Sequence, residues 1–318
     1  MKTKFILTLL LISVCSVSYG QDNPKGKAIV QIFGNFHSGF GQNNYDRGFE
    51  LERSYLGYEH RLTDGLTIKG VVDIGRSNSV EDYHRIVYIK NAMAAWKKGN
   101  FTLNVGLIST TQFNFQEKFW GYRYIMKSFQ DQYKFGNSAD LGLSLSYKFT
   151  EWLSADAILV NGEGYKKIQV NDGLNYGLGV TFTPIKGLSI RLYGGINEGA
   201  DKSQKSIVNL ASFVGYKCQH FTLGAEYNHM LNALYKSENQ MSGYSVFASA
   251  KAAKIIDIFT RFDSLYKNGT NSEHSAIIGT QIKLGKFVKI APNFRMTKPN
   301  IEGDKIDYYA CLNCYVGF

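Results

Sequence analysis

The run LGLSLSYKF, residues 141–149, decides how the whole chain is read. Leu141, Leu143, Leu145, Tyr147 and Phe149 share one parity, and Gly142, Ser144, Ser146 and Lys148 share the other. That period of two is a strand with one apolar face and one small or polar face, and helical spacing fails on it. The same alternation recurs at 101–107, 174–182, 221–227 and 308–318. Extended outward it gives sixteen candidate strands, roughly 27–39, 48–62, 66–76, 83–97, 100–108, 139–149, 152–161, 174–183, 187–197, 205–217, 221–229, 241–251, 254–263, 274–284, 286–296 and 306–318.

Their connections alternate in length. Thr63-Asp64-Gly65, Lys98-Gly99, Thr150-Glu151, Pro184-Ile185-Lys186, Ala252-Ala253 and Gly285 read as tight turns. Phe40–Arg47, Gly162–Gly173, Met230–Gln240, Ser264–Glu273 and Thr297–Lys305 read as long polar loops between them. A soluble sandwich explains alternating strands but not alternating connections, which belong to a barrel spanning a membrane with turns on one side and loops on the other. Lipid cannot satisfy an open sheet edge, so the sheet has to close, and an even strand count brings both termini to the same side. The expected fold is therefore all-β: a 16-stranded antiparallel transmembrane β-barrel.

Bulk numbers hide this. A mean hydropathy of -0.21 resembles that of a soluble protein, because each strand averages an apolar face with a polar one. Gly 32, Tyr 21 and Phe 21 against Pro 4 suit strands and tight turns, and exclude disorder. The longest apolar stretch, Phe5 to Val14 behind Lys2 and Lys4, is too short to span and reads as a secretory signal peptide over 1–20, with cleavage before Gln21. Residues 21–318 then form the barrel domain, exported to the outer membrane of a Gram-negative bacterium. The net charge of +10 stays clearly positive without the leader, which favours anionic solutes and lipid head groups over exported nucleic acid as partners. Cys218, Cys311 and Cys314 are too few and too scattered for a disulfide framework, and they read as strand positions.

Charges select the inner face. A cation facing lipid at mid-membrane costs about 2–4 kcal/mol, whereas one facing a wet lumen costs little. Lys69, Lys148, Arg191, Lys217, Lys251, Arg261, Lys283, Lys289 and Arg295 lie opposite the apolar parity, with Asp73, Asp140, Asp156, Glu226, Asp257 and Asp263. The lumen is accordingly polar and mildly cationic. Strands 48–62 and 83–97 have no clear parity, so Arg53, Glu59, Arg61 and Lys90 stay unassigned. The longest connection, Ser109 to Ser138, carries Phe119, Trp120, Tyr122, Ile125, Phe129 and Tyr133 at spacings of three and four. These predict one amphipathic helix of about four turns. Its basic residues Lys118, Arg123, Lys127 and Lys134 outnumber Glu117 and Asp131. Folded inward, with its apolar side on the wall, this third loop would make a positive constriction.

The last strand ends on Phe318 with apolar residues at alternate positions back to Tyr308, which resembles the C-terminal signal read by the outer-membrane barrel assembly machinery. The stretches GFELERSYLGYEHRLTDGL from Gly48, QFNFQEKFWGYRYIMKSFQDQYKFGNSADLG from Gln112, DIFTRFD from Asp257 and APNFRM from Ala291 resemble Bacteroidetes-type porins related to the phosphate-selective porins O and P. That resemblance implies a homotrimeric outer-membrane porin with an inward third loop. The best-known members guide phosphate with an arginine ladder and a lysine cluster, neither of which aligns to named positions here. Arg53, Arg191, Arg261 and Arg295 are candidates for the path, or for pairing with Asp73, Asp257 and Asp263 within the wall.

No nucleophile elbow, metalloprotease helix, phosphate-cradling loop or calcium loop occurs, and the six histidines are scattered. No enzymatic activity, cofactor or metal is expected. The reading is a passive channel for small hydrophilic solutes, preferring anions such as phosphate, with a structural or adhesive barrel as the alternative. The candidate anion path comprises Lys118, Arg123, Lys127, Lys134, Arg191, Arg261, Arg295, Lys69 and Lys148.

Overall fold

The computed structural model describes residues 25–40, 46–76, 84–201, 203–299 and 305–318. The leader, its cleavage point and parts of the loops read at Phe40–Arg47 and Thr297–Lys305 lie outside the described residues. In chain order the strands are β1 (Gly26–Phe40), β2 (Arg47–Arg61), β3 (Leu66–Arg76), β4 (Arg85–Lys98), β5 (Phe101–Ser109), β6 (Ala139–Lys148), β7 (Leu153–Val160) and β8 (Asn175–Phe182). They continue as β9 (Leu188–Asn197), β10 (Ile207–Lys217), β11 (Phe221–Leu231), β12 (Gln240–Lys251), β13 (Ile256–Lys267), β14 (Thr270–Leu284), β15 (Val288–Pro299) and β16 (Asp307–Gly317).

Each strand pairs antiparallel with its sequence neighbours, and β1 closes on β16 from Gln31↔Gly317 to Phe40↔Tyr308. The final residue is part of that seam: Phe318 and Val30 exchange main-chain hydrogen bonds of 3.0 and 3.2 Å. The parity read in LGLSLSYKF holds, since Leu141, Leu143, Leu145, Tyr147 and Phe149 are exposed on the outer wall while Asp140 and Ser144 are buried inside. Aromatic pairs band the short-turn end, among them Trp96–Phe101, Tyr147–Phe149, Tyr216–Phe221 and Phe287–Phe318. Phe40, Phe294 and Tyr308 cluster at the loop end. Two girdles flanking an apolar band are what a bilayer asks of a barrel.

The same side-chain device closes two of the tight turns. Thr63 Oγ1 accepts from the N–H of Leu66 at 3.1 Å, and Thr150 Oγ1 accepts from the N–H of Leu153 at 3.0 Å. A hydroxyl bonded to the main chain a few residues on fixes the bend.

Three sequence readings change. Ser264–Glu273 is not a long loop: β13 runs to Lys267, β14 starts at Thr270, and Asn268 and Gly269 form the turn at φ 51° and 75°. Asn-Gly is the preferred two-residue hairpin turn. The polar residues around it disguised strands that carry no continuous apolar face there. The unclear parity of 48–62 and 83–97 has one cause, a β-bulge in each strand. Arg53 and Leu51 face consecutive β1 residues with Glu52 left over, and Asn91 and Ile89 face consecutive β3 residues with Lys90 left over. A single extra residue shifts the period by one.

The third change concerns loop three, residues 110–138, which folds into the barrel with two short helices rather than one of four turns. These are α1 (Asn114–Trp120) and α2 (Phe129–Gln132). Gly121 stops α1 in the left-handed region at φ 75°, its N–H donating to Glu117 O. The apolar residues on either side then serve two separate cores. Phe119, Trp120, Tyr122 and Ile125 pack with Phe213, Phe247 and Phe259 of the wall, whereas Phe129, Tyr133 and Phe135 pack with Met230, Ala233 and Leu265. Glycine on the inner wall makes room: a Cβ at Gly215 would lie 2.6 Å from the Phe119 ring, and one at Gly243 2.6 Å from the Phe129 ring. Gly121→Ala is expected to cost about 1–2 kcal/mol for the left-handed backbone, read from urea unfolding in detergent.

Candidate channel constriction

Loop three is held by polar bonds from the wall to its main chain. Arg191 on β9 donates to Thr111 O at 2.8 Å, Arg261 on β13 to Lys127 O at 2.6 Å, and Arg295 on β15 to Ile125 O at 2.8 Å. Each guanidinium is oriented by a neighbour on the wall. Asp156 takes two bonds from Arg191 at 2.6 and 3.0 Å, and Asp263 takes two from Arg261 at 2.6 and 2.7 Å. Arg295 leans on the Asn293 and Asn313 carboxamide oxygens at 2.9 and 2.8 Å. Such charge-assisted bonds are short and directional. Three further contacts complete the docking: Tyr124 OH donates to Gln281, the Asn313 amide donates to Tyr124 O, and Tyr133 OH donates to Glu273.

Beside the docked loop, against β1 to β5, β15 and β16, lies a cavity of about 470 Å³. Its cations are Lys69, Lys90, Lys118, Arg123 and Lys289, and its one acid is Glu117. Arg123 bridges Glu117 at 3.1 Å and Asp131 at 2.9 Å, so this arginine partly spends its charge on the loop itself. Among the described residues the cavity lysines enter no salt bridge. Lys90 Nζ donates to Ser138 Oγ at 3.0 Å and sits 4.7 and 5.3 Å from the Tyr165 and Tyr55 ring centres. Bulging out of the β4 ladder turns it inward.

The β7–β8 loop contributes as well. Tyr165 OH donates to Asp73, which also pairs with Arg53 at 2.5 Å, and Lys166 Nζ lies 4.9 Å over the Tyr88 ring. Burial, more than any neighbouring charge, pushes the Lys127 and Lys166 ammonium groups below the usual lysine range. Neighbouring cations add to this, Arg123 and Arg53 for Lys127, Arg53 and Lys127 for Lys166.

Of the residues singled out from sequence, Lys69, Lys118 and Arg123 meet at the cavity, with Lys127 in electrostatic reach of Arg123. Arg191, Arg261 and Arg295 hold the loop. Lys134 is exposed, between Tyr133 and Phe135 of the other core. Lys148 pairs with Glu151 at 2.8 Å at the β6–β7 turn, away from the rest. Sequence reasoning left Lys90 unassigned and passed over Tyr165 and Lys166. The lost parity of 83–97 was the one available signal for Lys90.

No protein-family model matches the chain. A search of curated proteins finds no match either. Solved structures do resemble it. Pseudomonas putida OprB superposes with a TM-score of 0.72 at 12% identity, covering 92% of this chain and 94% of that one. An anion-selective porin from Comamonas acidovorans gives 0.67 at 12% identity, over 92% and 99%. OmpT of Vibrio cholerae in its trimer form gives 0.62 at 13% identity, over 93% and 100%. At these identities the likeness is one of architecture, and this chain has the 16-stranded fold of the bacterial outer-membrane porins.

Proposed function

We propose that the protein is a passive outer-membrane porin whose water-filled lumen carries small hydrophilic solutes with a preference for anions, phosphate among them. One observation carries the preference: a cavity with five cations and one acid lies where loop three narrows the barrel. A narrow passage with low-dielectric walls raises the local concentration of the opposite charge. The porin fold supports the channel reading, and the similar Comamonas protein is itself described as anion-selective. The trimer form of OmpT and the apolar outer wall support a homotrimer in outer-membrane lipid. A secretory leader over 1–20 and recognition of the Phe318 end by the barrel assembly machinery complete the reading.

Reversal potentials across planar bilayers under a KCl gradient test it. The expected sign is that of chloride permeating faster than potassium. Raising the pH towards the lysine range is expected to weaken the preference early, since burial makes Lys127 and Lys166 lose their protons before surface lysines do. A potassium-preferring channel would overturn the anion reading, and pure protein without conductance would leave the structural or adhesive barrel.

A further inference from the structure

We propose that the cavity beside loop three binds organic anions with a flat apolar body, of the kind of an aromatic monocarboxylate, in preference to inorganic anions. The inference rests on the anion reading above and adds the class of solute. Four packed rings lie on one side of the cavity, three of them, Phe33, Tyr55 and Tyr124, almost buried and the half-buried Tyr315 presenting its surface. Phe33 lies 5.6 Å from Tyr55 and 5.8 Å from Tyr315, and Tyr315 lies 5.6 Å from Tyr124, centre to centre. Ile29 and Val71 extend this surface, and its border is cationic. Lys289 Nζ stands 4.9 Å from the Tyr315 ring centre and Lys90 Nζ 5.3 Å from that of Tyr55.

A hydrated inorganic anion gives up water only where donors replace it, and ring faces donate nothing. A flat organic anion matches both halves, its carboxylate meeting an ammonium while its ring lies against Tyr315, which the three buried rings hold in place. Each ring contact adds about twofold to tenfold in affinity beyond simple burial. At about 30 Å³ of liquid volume per water, a cavity of about 470 Å³ admits a single-ring solute and still leaves it partly hydrated. An uncharged sugar also stacks on rings, but it carries no charge to meet the lysines at the border.

The experiment is block of the KCl current through purified wild-type channels by benzoate, acetate, inorganic phosphate and benzyl alcohol, each titrated in turn. Benzoate is expected to half-block at about threefold lower concentration than acetate or phosphate, as one ring contact implies, with benzyl alcohol without effect. Tyr315→Leu, which keeps apolar volume but removes the ring, should cancel the benzoate advantage. Lys289→Gln should weaken benzoate and acetate together. Equal half-block by benzoate and acetate, or block by benzyl alcohol as strong as by benzoate, overturns the proposal. The wild-type series decides this even if a variant fails to fold. A channel that prefers potassium and is blocked by benzylammonium instead removes the anion reading itself, whereas an anion-preferring channel indifferent to the ring removes only this inference.

Discussion

Arg261→Ala lowers the stability of the folded barrel by about 3–5 kcal/mol, the usual cost of stranding one partner of a buried ion pair. Arg261 and Asp263 are nearly inaccessible, with side-chain exposures of 2% and 0%, so the carboxylate left behind has no water to turn to. The same change removes the bond to Lys127 O and the contact of the guanidinium with the Trp120 ring, 5.3 Å away. Two readouts follow. Urea unfolding in detergent should shift to lower midpoint, and single-channel traces should show new closures as the segment after Gly121 comes loose. Arg261→Met combined with Asp263→Leu removes both charges and should recover most of the midpoint, because apolar replacement of a whole buried pair is often neutral. Some deficit should remain, since Glu226 also loses a neighbouring cation. A single variant as stable and as quiet as wild type would show that loop three does not depend on this pin.

Lys90→Glu is the largest single step expected in selectivity. It swings the charge beside the cavity by two, worth roughly 1 kcal/mol at a distance of ~7 Å in water for each ion and of opposite sign for chloride and potassium, or about thirtyfold in their permeability ratio. Lys90→Gln, at half the charge change, should move the ratio about fivefold in the same direction. The effect should shrink at molar salt, where the screening length falls to about 3 Å. Lys148→Gln serves as comparison: its ammonium is already paired with Glu151 at a turn, so the reversal potential should stay put. If Lys90→Glu leaves the reversal potential unchanged, the ion path runs elsewhere.

The barrel was legible because lipid and lumen sort side chains by a period of two, and LGLSLSYKF states that period without interruption. Legibility failed where another constraint took over. At Asn268-Gly269 the turn chemistry was explicit, but the surrounding polar residues were read as loop. At Glu52 and Lys90 one surplus residue broke the parity, and the break itself brought Lys90 to the cavity. In loop three the spacing of three and four was real, yet Gly121 divided it, because the two halves pack on different parts of the wall. The wall arginines show the limit most clearly. Parity gave their inward direction, and nothing in sequence gave their partners, which lie 80 to 170 residues away on the loop backbone.

Those partners are peptide carbonyls, which every residue type carries alike. At these three points Arg191, Arg261 and Arg295 hold loop three by its backbone, whatever side chains Thr111, Ile125 and Lys127 are replaced by. None of these three bonds uses the side chain of Lys118 or Lys127, so either can be exchanged in a descendant without breaking them. A barrel built this way can change the solutes it admits by single substitutions, while the fold that carries them stays under separate selection.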